Sequence, residues 1–234
     1  MKTQPEPVDD LKTPVISPSG IAPEIVRLNT AAWQLQGSIY RREKEFKCVT
    51  KYWDLYVRLY RATAYAYKSG DGQLVSFLAI AYNKTPKGDW GKYINSYLVY
   101  TQPNFRKQGY ATFLHRAVEQ DALKKGYART QSLIKTYAGF RFHLALGHTF
   151  WGLNERGEMR CDSPLLRNAP NQPRGVAAAA QDVFLGHPLN TAELIDILVA
   201  SPLYRQTRKD AEALFQTHTL GYDPDAYRPI ETLC

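Results

Sequence analysis

Apolar and polar positions along this chain recur with two different periods, and each change of period marks a new element. Over 30–61 the residues Trp33, Leu35, Ile39, Phe46, Val49, Trp53, Tyr56, Val57 and Tyr60 fall at roughly helical spacing, with Arg41-Arg42-Glu43-Lys44-Glu45 filling a gap. A largely helical stretch is predicted there, preceded by a short strand at Glu24–Leu28. From 62 the period shortens. Tyrosines alternate with small residues to 68, Ser69-Gly70-Asp71-Gly72 reads as a turn, and 74–82 is strongly apolar, which predicts a β-hairpin. After a polar loop over 83–91, the β-branched and aromatic run 93–101 predicts a third strand. A helix is expected over 110–125, its apolar face formed by Ala111, Phe113, Leu114, Ala117, Val118 and Leu123, and its end marked by Lys124, Lys125 and Gly126. A strand over 128–134, a helix over 136–146 ended by Gly147, and a hairpin of 148–153 and 158–161 about Asn154-Glu155-Arg156-Gly157 complete the series.

Past Pro164 the pattern breaks. The Pro-, Asn- and Arg-rich stretch 168–175 reads as a linker, and 191–200 and 205–217 read as two further helices, the first capped by Asn190 or Thr191. The expected organisation is a lead-in over 1–20, a main domain over 21–164, a linker over 165–186 and a small helical extension over 187–234. No apolar run reaches the roughly 18 residues that span a bilayer, and the polar start of the chain, with four prolines in its first 20 residues, has no signal-peptide core. A cytoplasmic protein is expected.

Charge changes the picture. Of the formal net charge of +8, residues 61–164 supply all, with 15 Lys+Arg against 7 Asp+Glu, whereas 1–60 carry +2 and 165–234 carry −2. A field concentrated in this way favours polyanions, among them nucleotide phosphates and nucleic acid; a merely solvated surface is the plain alternative. The 3 cysteines, Cys48, Cys161 and Cys234, are widely spaced and odd in number, so neither a disulfide framework nor a zinc knuckle is indicated. His115, His143, His148, His187 and His218 show no ligand spacing joined to acidic or cysteine partners, and no metal is expected.

The candidate chemistry lies at Arg106-Lys107-Gln108-Gly109-Tyr110-Ala111, between a strand and a helix. The first N–H groups of a helix have no intrahelical partner, and the helix dipole adds positive potential at the same place. A diphosphate can approach such a backbone where side chains are small, as at Gly109 and Ala111. The pattern R-x-x-G-x-A alone is weak. Its surroundings are more specific: Pro103-Asn104-Phe105-Arg106-Lys107-Gln108-Gly109-Tyr110-Ala111 resembles the strand–turn–helix signature of the GNAT superfamily of acyl-CoA N-acyltransferases. Thr136-x-x-Gly139-x-x-Phe142-His143-x-x-x-Gly147-His148 occupies the frame of that family's downstream motif. The resemblance covers about 62–164.

This resemblance implies an α/β (α+β) GNAT-like fold: a central mixed, mostly antiparallel sheet flanked by helices, with the small helical C-terminal extension added. It implies acetyl-CoA or another acyl-CoA as co-substrate and direct transfer of the acyl group to an amine. Backbone groups of Val99, Tyr100 and Thr101 would meet the pantetheine arm. Amides of Arg106, Lys107, Gln108, Gly109, Tyr110 and Ala111, with the Thr112 hydroxyl, would hold the pyrophosphate. Thr136 stands where the family often has an asparagine that contacts pantetheine. His143 stands where the family has the tyrosine that protonates the leaving thiolate; a catalytic acid and a packing residue both remain open for it, and Tyr137 is the substitute acid. No general base stands out: Asp89 is the sole acidic residue between 72 and 118, and Asp162 is expected either to line the acceptor site or to sit exposed in a turn. The 16 tyrosines and 4 tryptophans leave two readings of the acceptor open, a nucleic-acid-linked amine such as aminoacyl-tRNA, or an unspecified amine with the tyrosines serving the sheet. A degenerate GNAT-like module that binds without catalysis is the competing class, and the C-terminal helices are expected either to cover the acceptor cleft or to make a homodimer contact.

Overall fold

A computed structural model describes residues 24–28, 61–68, 74–83, 92–165 and 188–218. The helical reading of 30–61 up to residue 60, the linker from 166, the lead-in, the hairpin turn at 69–72 and Asp89 lie outside the described residues. The strands are β1 (Glu24–Leu28), β2 (Thr63–Lys68), β3 (Leu74–Asn83), β4 (Lys92–Thr101), β5 (Tyr127–Ile134), β6 (Thr149–Leu153) and β7 (Met159–Pro164). The helices are α1 (Tyr110–Lys124), α2 (Tyr137–Ala145), α3 (Thr191–Ala200) and α4 (Arg208–His218), with a 3₁₀ turn at Pro103–Phe105 before α1. The mixed, mostly antiparallel sheet flanked by helices is the architecture expected.

The chain divides into two compact units whose border runs through β4: Met1–Tyr82 with Ser96–Asp121, and Asn83–Asn95 with Ala122–Cys234. In the first unit β1, β2 and β3 pair antiparallel, with Val26 opposite Ala66 and Tyr65 opposite Leu78. Strand β2 is flanked on both edges and buried on both faces, from Ala64 to Tyr67. That is why its tyrosines alternate with alanines: the large rings fill one face and the small residues let the other pack closely. Tyr65 and Tyr67 are 1% and 2% exposed, and the Tyr65 hydroxyl lies 2.7 Å from that of Tyr82. These tyrosines serve the sheet, so they offer no face on which a base could stack.

In the second unit β4 runs parallel to β5 from Lys92 to Asn95, β5 is antiparallel to β7, and β7 to β6. Strand β7 continues to Pro164, three residues beyond the predicted end. The polar side chains that suggested a turn are buried there. The Arg129 guanidinium donates twice to one Asp162 carboxylate oxygen, at 2.9 and 3.1 Å, with both side chains fully buried. The Ser163 hydroxyl accepts from the Thr149 N–H at 2.7 Å. Asp162 is therefore neither an exposed turn carboxylate nor free to attend an acceptor.

Helices α3 and α4 share a core with α2 and the strands around it. Leu194, Leu198, Tyr204, Ala211, Leu214 and Phe215 cluster with Ile134, Phe140, Leu144, Phe150 and Met159. Asn190, one of the two residues the sequence offers for the cap, caps α3 through a reciprocal box with Glu193. Tyr204, in the bend between the two helices, donates its hydroxyl proton to the Ile134 carbonyl and accepts from the Met159 N–H. Among the described residues no helix is long and apolar enough to cross a membrane.

Candidate functional site

The first unit carries the strand–turn–helix segment. Pro103 opens a 3₁₀ turn, closed by Arg106 N–H donating to the Pro103 carbonyl at 3.2 Å. The backbone then turns through two left-handed residues, Lys107 at φ 62° and Gly109 at φ 86°. At φ 62° the lysine sits inside the small left-handed region open to L-residues, whereas φ 86° lies beyond it, so position 109 carries the sharper requirement for glycine. A Cβ at 109 would also lie 3.2 Å from the Phe113 ring, closer than ordinary contact. Arg106, Lys107, Gln108 and Gly109 are all exposed, while Tyr110 turns inward, edge-on to Tyr67 and Phe105. One buried ring thus anchors the start of α1 while the residues before it face solvent. The first turn of α1 holds no acidic residue, so nothing there opposes the positive end of the helix.

Arg106 does more than add charge. Its Nε donates to the Thr101 carbonyl at 3.0 Å, and its guanidinium lies over the Tyr100 ring, 5.6 Å from the centroid. The side chain thereby ties the turn to the end of β4. Gln108 closes a second tie, its side-chain amide donating to the Asn104 carbonyl at 3.0 Å.

At the end of β4, Tyr100 and, just beyond the strand, Gln102 face β3: the Ser76 hydroxyl donates to the Tyr100 carbonyl at 3.1 Å, and the Gln102 N–H donates to the Val75 carbonyl at 3.0 Å. By strand alternation the backbone groups of Val99 and Thr101 point to the other edge. Pairing with β5 along that edge covers Lys92 to Asn95. Thr112, in the first turn of α1, is half-buried, as is Ala111.

The second unit carries the remaining candidates. Thr136 is exposed and caps α2, its hydroxyl oxygen accepting from the Gly139 N–H at 3.1 Å. A hydroxyl that accepts in this way keeps its proton for donation elsewhere. Tyr137 begins α2, half-buried and stacked on Phe140 with ring centroids 6.3 Å apart. His143 is 6% exposed, and its Nδ1 lies 2.8 Å from Nδ1 of His148.

Linear spacing joins none of the histidines to a cysteine, but the fold does. Cys161, fully buried in β7, places its sulfur 3.3 Å from His148 Nδ1 and 3.8 Å from His143 Nδ1. Linear spacing could not reveal a partner supplied by a strand that returns after a hairpin. The one available signal was the pair of histidines bracketing Gly147.

The family model described as the acetyltransferase (GNAT) family matches residues 25–147. No curated protein sequence matches. Among solved structures, the GNAT domain of PAT from S. lividans is similar at 14% identity, covering 66% of this chain and 97% of its own, with a TM-score of 0.52. The E. coli ribosomal-protein-S18-alanine N-acetyltransferase is 14% identical over 64% of this chain and 99% of its own, with a TM-score of 0.44. AtaTR bound with acetyl-CoA is 16% identical over 61% of this chain and 93% of its own, with a TM-score of 0.45.

Proposed function

Since the chain belongs to the acetyltransferase (GNAT) family, we propose that it moves an acetyl or other short acyl group from acyl-CoA to an amine by direct transfer. One observation carries this reading. The turn before α1 is solvent-facing, has left-handed backbone at Lys107 and Gly109, and leads into a helix start without acidic residues. Amide N–H groups with that backbone geometry form a concavity for anions, and Lys107 adds a mobile positive charge. Val99 presents its backbone groups, and Thr101 its N–H, on the edge of β4 away from β3, where an extended pantetheine arm would add as a strand does; the Thr101 carbonyl is held by Arg106. In the second unit, Thr136 keeps a hydroxyl proton that it can donate to a ligand.

In the reaction, the amine nitrogen attacks the thioester carbonyl, a C–N bond forms, and the C–S bond breaks. The amine loses a proton to solvent or a water relay, and the departing thiolate needs one. Of the two acid candidates Tyr137 is the better supported. It is half-buried at the start of α2 with a phenol proton to give, whereas His143 is buried and turns Nδ1 toward His148 and Cys161. The acceptor is an amine whose carrier the basic middle of the chain suits when that carrier is anionic, an aminoacyl-tRNA or an amine-bearing base included.

Arg106→Glu tests the turn. Placing a carboxylate against the diphosphate is expected to weaken acetyl-CoA binding tenfold or more by calorimetry, about 1.4 kcal/mol. Because Arg106 also holds the Thr101 carbonyl, Arg106→Gln serves as a partner variant that removes charge without adding repulsion. Unchanged affinity in both variants would remove the turn from the cofactor site. Thiol release with amine panels that include tRNA then separates a transferase from a module that binds acetyl-CoA and never turns it over.

A further inference from the structure

Three atoms with lone pairs converge in the second unit: Nδ1 of His143, Nδ1 of His148 and Sγ of Cys161, in side chains that are 6%, 0% and 0% exposed. The local chain brings the first two together. His148 N–H donates to the His143 carbonyl at 3.0 Å and Gly147 N–H to the Leu144 carbonyl at 2.9 Å, with Gly147 at φ 73°. These are the two bonds of a Schellman motif, whose flanking residues ordinarily make an apolar contact across the helix end. Here that contact is between two imidazoles. Strand β7 then delivers Cys161, paired opposite Phe150 of β6.

Hydrogen bonding cannot serve both contacts of His148 Nδ1 at once. Each neutral imidazole Nδ1 holds either one proton or one lone pair. The 2.8 Å contact takes a single shared proton, yet His148 Nδ1 also faces the sulfur at 3.3 Å. One proton cannot lie along both lines, and one lone pair cannot accept along both. A cation among the three atoms takes a lone pair from each. With metal–nitrogen bonds of about 2.0–2.1 Å and metal–sulfur bonds of about 2.3 Å, the edges of a tetrahedral site measure roughly 3.3–3.6 Å. The two nitrogen–sulfur separations, 3.3 and 3.8 Å, straddle the longer of those edges, and the nitrogen–nitrogen separation of 2.8 Å reaches the shorter one when the rings part by about half an ångström.

We propose that His143, His148 and Cys161 bind one divalent cation of the zinc class. Two imidazoles and a thiolate are the donor set that suits such a borderline-soft ion, and three protein ligands leave a fourth position for water or another group. On binding, the Cys161 thiol loses its proton to solvent, and the proton shared between the imidazoles moves to a ring Nε2. The ion fastens the end of α2 to β7 inside the core. Because the ligands are buried, it is acquired as the chain folds.

The test uses the full chain, untagged, refolded in the presence of Zn²⁺ or Co²⁺ and then dialysed against weak chelator. One Zn²⁺ per chain by elemental analysis is expected, with a Tm several degrees above that of chain refolded without metal. The Co²⁺ form is expected to show a thiolate-to-metal charge-transfer band in the near ultraviolet and tetrahedral d–d bands in the visible. Cys161→Ser is expected to lose the charge-transfer band and most of the metal. His148→Gln, similar in size and able to hydrogen-bond, provides the second variant should Cys161→Ser fold poorly. Less than a tenth of a metal ion per wild-type chain, or a metal content and spectrum equal in wild type and Cys161→Ser, overturns the proposal.

Discussion

Tyr204 shows how one side chain can hold a segment in place. Its hydroxyl donates to the Ile134 carbonyl and accepts the Met159 N–H at 2.7 Å, so one oxygen bridges β5 and β7 from the bend after α3. Burial is the main reason its phenol is pushed up to about 12. Tyr204→Phe keeps the ring and leaves two buried backbone groups without that partner, a change worth about 2–3 kcal/mol by denaturant unfolding. Glu158 works at the opposite end of the pH scale. The Asn154 side-chain amide, which donates to it at 2.8 Å, and then Lys135 hold its carboxyl below the usual carboxylate range, against the pull of desolvation. With the folded pKa below the unfolded one, its stabilisation is complete above the unfolded value and drains away as pH falls through the folded one. Glu158→Gln should therefore lower Tm at neutral pH, by about 1 kcal/mol of stability, and match wild type once both are below the folded pKa. Neither role was legible in the sequence. Each depends on partners set by tertiary packing, as does Asp162, whose burial rests on Arg129, 33 residues away. Local geometry was legible: the Arg106–Ala111 turn is specified by its own residues and lies between a strand and a helix, where they place it.

At the scale of elements, the strengths of sequence reading follow from the range of the forces involved. Helix α1 was legible because its apolar stripe and its terminal Lys-Lys-Gly lie within its own length. The end of β7 was not, since Asp162 and Ser163 look like turn residues until Arg129 and Thr149 bury them. The turn before α1 is where the proposed function rests on a single element, and Gly109→Ala probes it. An L-residue at φ 86° with its Cβ 3.2 Å from Phe113 costs about 1–2 kcal/mol of stability and distorts the amides that face solvent. Asn190→Ala is the matched control, removing the cap of α3 at about 1 kcal/mol. Both variants should lose similar stability, yet only Gly109→Ala should lose affinity for acetyl-CoA in titration calorimetry. Equal affinities in the two would separate the turn from the cofactor.

For the molecule as a whole, the family match ends at residue 147, yet the core of the second unit does not. The helices read from sequence as a small extension contribute Leu194, Leu198, Tyr204, Ala211, Leu214 and Phe215 to the cluster that contains Phe140, Phe150 and Met159. Sequence predicted α3 and α4 as helices because their periodicity is internal. It could not say what their apolar faces cover, because that face carries no address. The energetic consequence is large. Burying a leucine or phenylalanine side chain is worth roughly 1.5–3 kcal/mol, so the three residues Leu194, Leu198 and Phe215 alone match a substantial part of the 5–15 kcal/mol by which a typical domain is stable. Ending the chain at residue 187 would expose those partners and remove the Tyr204 bridge together. Such a truncation should lack a cooperative melting transition for the second unit and be cut rapidly by chymotrypsin at Phe140 and Phe150, which the full chain protects. A truncated chain that melts as sharply as the full one, with those sites still protected, would show that α3 and α4 rest on the core without holding it.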